Sequence, residues 1–250
     1  MALTVKQWRE VVSEAAVLMG DGWEVAGKGR STSLMRSDPQ WWLQFIYQEK
    51  TSNGDMAAYQ GLLSYPLPST QSGMGGVPGD QFEVPDHPEM RFRDVRDPKV
   101  VAEFAKWVSL LKLHDRHDVS GVRESSDRKY VANCEAGREN YIYRGITLQH
   151  LISLRVLCGS RPLPDLVADV RRVIDDGDFG TYGIWGDRTA DHGEALLRAY
   201  WEDLYARIQT GDRQLVEELF AQTRVDTLKR FGLSDAQITD PVFPELEVPW

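Results

Sequence analysis

Hydrophobic and polar positions along the chain change their period about a third of the way through. Between residues 40 and 50, QWWLQFIYQEK alternates strictly, with Trp41, Leu43, Phe45 and Tyr47 on one parity and Trp42, Gln44, Ile46, Gln48 and Lys50 on the other. A period of two, carried by aromatic and β-branched side chains, predicts a strand. Pro39 before it and the polar run Thr51 to Asp55 after it favour a strand over a buried helix. The wholly apolar parity is expected to point into the core, under a helix. The half-polar parity is expected to lie against the C-terminal helices, because Trp42 and Ile46 are costly to leave wet; the alternative is an open face, which would be the first surface to meet a partner.

Residues 4 to 19 repeat at helical spacing. Trp8, Val11, Val12, Ala15, Ala16 and Met19 make the apolar stripe, Thr4 is the expected N-cap, and Gly20-Asp21-Gly22 is the stop. Strands are expected at Trp23 to Lys28 and Ser31 to Arg36, joined at Gly29-Arg30, and again at Ala57 to Leu67. Residues 68 to 89 are rich in Pro, Gly and Ser and read as a functional loop or a linker. Met90 to Val95 is a further strand candidate.

Beyond residue 95 the helical period dominates. Asp97 caps a helix opened by Pro98, with Val101, Phe104, Ala105, Val108 and Leu111 as its stripe. Residues 115 to 145 are polar and weakly patterned, with a short strand pair expected at 129 to 134 and 140 to 144. Helices follow at Leu148 to Cys158, Asp165 to Asp176 and about 190 to 209, and one more starts after Asp212 and stops at Gly232. The closing DPVFPELEVPW holds three prolines and cannot be helical. The expected fold is α+β: an N-terminal helix on an antiparallel sheet of four to five strands, then a mainly helical half. Residues 1 to 95 form the sheet region and 96 to 250 the helical region, either as two units or as one continuous domain.

Composition narrows the partners. Apolar residues make up 42% of the chain and charged residues 27%, the profile of a globular protein, and no apolar run approaches the roughly 18 residues of a membrane span. The start of the chain lacks the order of a signal peptide, and Cys134 and Cys158 have no metal spacing. They read as free thiols of a reducing cytoplasm, with one structural disulfide as the alternative. A net charge of −9 repels phosphate backbones and disfavours direct nucleic-acid binding; it suits a basic protein partner.

Four constellations invite chemistry, and none assembles a catalytic or cofactor signature. Gly22 to Lys28 fits GxxxxGK, but Gly29 stands where a phosphate loop needs Ser or Thr. His114, Asp115, His117 and Asp118 form two His-Asp doublets, as in metal-dependent phosphohydrolases, with His150 as a further ligand candidate. A solvated helix end is the plainer reading. Asp175, Asp176, Asp178 and Asp187 flank an aromatic loop with Tyr182 and Trp185; they lack the order of a calcium loop but suit a protein interface. No GxSxG nucleophile is present, Cys134 has no nearby histidine, and Cys158, in an apolar helix end, reads as core.

The succession of a helix, Gly22-Trp23, Gly29-Arg30, Arg36 and Leu43 to Lys50 resembles small bacterial α+β domains of unknown function, several of which look like immunity proteins that neutralise secreted toxins. The likeness covers about the first 70 residues, and its motifs are structural. Together with the acidity, the abundant Trp and Tyr and the missing catalytic signatures, it favours a cytoplasmic binding protein, an immunity or inhibitor protein of a bacterium or phage that needs no cofactor and acts on a basic protein, over an enzyme. Partner-binding candidates are Trp42, Gln44, Gln48, Tyr182, Trp185 and Asp187. The alternatives are a metal-dependent hydrolase built on His114 to Asp118, and a phage structural or assembly protein using its proline-rich segments as arms.

Overall fold

The computed structural model describes residues 3–20, 22–29, 32–36, 41–50, 56–64, 96–110, 119–135, 148–177, 191–230 and 232–250. The chain divides into two compact units, one of residues 1–63, 72–113 and 228–239, the other of residues 64–71, 114–227 and 240–250.

The first unit opens with helix α1 (Val5–Met19). Thr4 starts it through a capping box: its hydroxyl accepts from the Gln7 N–H, and Gln7 Oε1 accepts from the Thr4 N–H. Gly20, at φ +72°, ends it. Strands β1 (Trp23–Ala26), β2 (Ser33–Arg36) and β3 (Trp42–Lys50) follow as an antiparallel sheet, with Val25 opposite Leu34 and Leu34 opposite Ile46. Strand β4 (Met56–Ser64) lies beside β3 in the strand order. Pairing register is described for β1, β2 and β3 only.

Opposite residues on paired strands share a face. Trp23, Leu34 and Ile46 therefore meet α1 in one core with Trp8, Val11, Val12 and Ala15. Helix α2 (Pro98–Leu110) joins the same core through Val101, Ala102 and Ala105. Although its place in the chain suggested the helical region, this helix belongs to the first unit because its stripe completes the seal over the sheet. Asp97 caps it by accepting from the Lys99 N–H at 2.9 Å, as expected.

This register corrects the expected orientation of β3. The helix-covered parity is that of Ile46, and the cover is α1 and α2 rather than the C-terminal helices. Trp41 and Phe45, on the other parity, are equally buried. With both faces dry, hydrophobic alternation carries no information about which face the helices take. One polar contact pins the core: Trp8 Nε1 donates to the Thr32 carbonyl at 2.8 Å.

The second unit is helical: α3 (Val119–Glu135), α4 (Leu148–Cys158), α5 (Leu163–Asp176), α6 (Asp191–Ile208) and α7 (Arg213–Arg230), whose end from Leu228 counts with the first unit. The strand expected at 129 to 134 is instead the last part of α3; its polar residues hid a weak helical period. Residues 140 to 144 and 90 to 95 lie outside the described residues. Helix α4 is buried from Leu151 to Cys158, as an all-round apolar helix must be. Helix α3 packs on α4, α4 on α5 and α5 on α6. Leu166, Val170 and Val173 of α5, Leu197, Trp201 and Leu204 of α6, and Val216 and Phe220 of α7 are buried in this unit.

Candidate functional site

Burial of one stripe of α1 leaves the opposite face to solvent, and its chemistry is uneven. Glu10, Glu14, Val17 and Leu18 are spaced four, three and one residues apart, so they share one exposed side of the helix. Val17 is 80% exposed and Leu18 44%. Lys6 reaches Glu10 at 3.9 Å, a pair open to water on both sides and weakly held. The last turn of α1 carries no basic side chain, so the negative end of its helix dipole is uncompensated within the helix. The result is two adjacent apolar side chains beside two carboxylates and a negative helix end.

Most of the sequence candidates fall on residues or side chains that are not described. Side chains of Trp42 and Gln44 lie outside the described residues, as do Tyr182, Trp185 and Asp187. Gln48 is half-buried and shares the parity of Ile46; its Oε1 is buried without a hydrogen-bond partner. His114, Asp115, His117 and Asp118 also lie outside the described residues. His150 sits in the first turn of α4, where burial pushes its imidazole down to about 4, so it is neutral at physiological pH. Among the described residues no group of three or more His, Cys, Asp or Glu side chains could hold a metal ion.

The GxxxxGK stretch and the described part of the acidic constellation, Asp175 and Asp176, are ordinary structure. The GxxxxGK stretch spans β1, with Gly22 at φ +101° and Gly27 at φ +79° making the turns on either side. Asp175 and Asp176 pair back along α5, Asp175 with Arg171 at 2.8 Å and Asp176 with Arg172 at 3.6 Å, and Gly177 closes the helix in the left-handed conformation. Cys134 and Cys158 are both free. Burial pushes the Cys158 thiol up to about 11, with Ser120 Oγ 3.9 Å from its sulfur, so it is a poor nucleophile.

Sequence reasoning missed the arginine network of the second unit. Arg155, inside the buried α4, reaches Asp127 of α3 at 2.6 Å and Asp169 of α5 at 3.1 Å. Arg161 shares Asp169 at 3.3 Å, and Arg123 bridges Asp127, at 3.2 Å, and Glu247. Burial works against the Arg123 charge, yet hydrogen bonds to Glu247 and Asp127 outweigh it and raise its pKa. Arg213, at the start of α7, donates to the carbonyls of Val156 and Leu157 at 2.9 and 2.7 Å, closing the C-terminal end of α4. The visible signal was Arg155 within LISLRVLC: a charge in an all-apolar helix must find carboxylates.

No protein-family model, curated protein or solved structure matches this chain. Among the described residues no helix is long and apolar enough to cross a membrane.

Proposed function

We propose that this chain is a cytoplasmic protein-binding protein, of the immunity or inhibitor kind, that docks a basic protein through the outer face of α1. The observation that carries the reading is the pairing of exposed Val17 and Leu18 with Glu10 and Glu14 on one side of the helix. The net charge of −9 supports it, because an acidic chain draws a basic partner over long range and then holds it by short-range burial. The same charge disfavours direct binding to nucleic acid. Tyr182 and Trp185, with the acidic Asp187 beside them, are further candidate anchors for that partner.

The test is a binding series with the full chain immobilised in extract of the host at low salt. A basic protein should be retained in a 1:1 complex, with an on-rate that falls as salt rises. A Glu14→Lys, Val17→Asp variant should lose it while keeping its circular dichroism. Retention of no basic protein, or equal retention by the folded variant, overturns the proposal.

A further inference from the structure

We propose that the surface formed by α3, the C-terminal end of α4 and the start of α7 is a peptide-binding site, and that residues 240–250 are its resident, releasable ligand. This segment has no regular secondary structure and carries Pro241, Pro244 and Pro249. It is held as a recognised peptide is held. The Glu247 N–H donates to the Cys158 carbonyl at 3.0 Å and the Val248 N–H to the Gly159 carbonyl at 2.9 Å. Carbonyls at a helix C-terminus have no partner within the helix, which makes them ready acceptors for a passing strand.

Side chains then set what kind of peptide fits. Arg123 binds the Glu247 carboxylate, and the Arg213 guanidinium lies 5.1 Å from the centre of the Trp250 ring. Gly159 provides the flat floor: a Cβ there would stand 2.5 Å from Leu246 Cδ2 and 3.0 Å from Trp250 Nε1. The ligand chemistry is an extended, proline-bearing peptide with an apolar residue, an acid next to it and an aromatic three residues further on, the pattern of Leu246, Glu247 and Trp250.

The fit is incomplete, which is why the strap is releasable. Three buried polar atoms at this contact have no hydrogen-bond partner: Arg123 Nε, Ser160 Oγ and Trp250 Nε1. Each unmet group costs free energy that a ligand with one more acceptor would recover. The three prolines keep the released strap extended, so rebinding orders little. This site selects an acidic, aromatic peptide and lies in the second unit, so it stands independently of the basic-partner reading of α1.

Two measurements test it. In hydrogen exchange on the intact protein, the Glu247 and Val248 amides should exchange by local opening, at least about tenfold faster than the Val156 and Leu157 amides of α4. Equal rates would mean that the strap leaves only on global unfolding, and the proposal fails. The second measurement uses a fluorescent peptide copied from residues 240–250 and full-length Glu247→Lys, whose own strap is weakened. The variant should bind the peptide with an affinity that drops several-fold at high salt, and adding Arg123→Glu should abolish binding. A Glu247→Lys protein with intact circular dichroism that ignores the peptide overturns the proposal. If that variant does not fold, Glu247→Gln takes its place with the same two outcomes.

Discussion

The two units bury their central elements by different means. In the first, Leu34, Met35, Phe45 and Ile46 are buried on both faces of β2 and β3, and the core beneath α1 and α2 is mainly carbon, pinned by the Trp8 indole bond to Thr32. In the second, α4 is just as dry along its length, but guanidinium groups from Arg155 and Arg213 hold its middle and its end. Carbon cores reward filled volume and tolerate swaps that conserve it. Charge networks repay their desolvation only when every partner is present. The first unit should therefore answer to changes of size, the second to changes of charge.

The largest effect tests the first half of that contrast. Trp8→Ala removes the biggest fully buried side chain of the α1 core and leaves the Thr32 carbonyl without its donor. The expected loss is about 3–5 kcal/mol in urea unfolding, against about 1–2 for Trp8→Phe, which keeps most of the volume. Arg155→Ala tests the other half. It takes the shared guanidinium from Asp127 and Asp169 and leaves them only Arg123 and Arg161, so the expected loss is about 2–3 kcal/mol. Arg155→Met combined with Asp127→Asn and Asp169→Asn should recover part of it, because neutral groups no longer need the guanidinium. A single Arg155→Met as stable as the wild type would break the comparison.

Acid should loosen the second unit through His150. Its folded pKa, about 4, lies below the ordinary value of 6.5, so between those values the unfolded chain binds a proton that the folded one refuses. Stability from this group is full above pH 6.5 and is lost as pH falls toward 4. For a half-buried ring the loss is about 2 kcal/mol, read as a difference between urea midpoints at neutral pH and near pH 4. His150→Gln should flatten that part of the profile. A smaller, backbone effect belongs to the first unit. Gly232 has φ +88°, and a Cβ there would lie 3.3 Å from Gly27 Cα, so Gly232→Ala should cost about 1–2 kcal/mol in a thermal melt.

Much of the architecture was legible because local signals agreed. Thr4 with Gln7, Asp97 with Pro98, and Asp212, whose carboxylate accepts from the Gln214 N–H at 2.9 Å, announce helix starts, and the structure uses each. What escaped is long-range. The side of β3 that meets α1 depends on the register of Leu34 with Ile46, and strand alternation is silent on this once both faces are apolar. Helix α3 escaped because its surface is polar and its ion-pair partners are distant, Arg155 from α4 and Glu247, 124 residues beyond Arg123. The acidic face of α1 was written in plain view at residues 10, 14, 17 and 18, but a search for apolar stripes passes over the opposite side of the same helix.

That outer face gives the smallest stability effect, and the smallness is what makes it informative. Val17 buries little, so Val17→Asp should shift the urea midpoint by less than about 0.5 kcal/mol equivalent, and Leu18→Ser, at a half-exposed position, by about 1. Ala15, on the buried side of the same helix, is the control: Ala15→Asp places a carboxylate with no hydration into the core beside Val11, Val12 and Ile46, and should unfold the first unit. A helix whose two sides respond so differently separates residues retained for folding from residues free to serve a partner. If Val17→Asp proved as damaging as Ala15→Asp, that side of α1 would be part of the core's support, and the acidic, apolar face would lose its claim to be a docking surface.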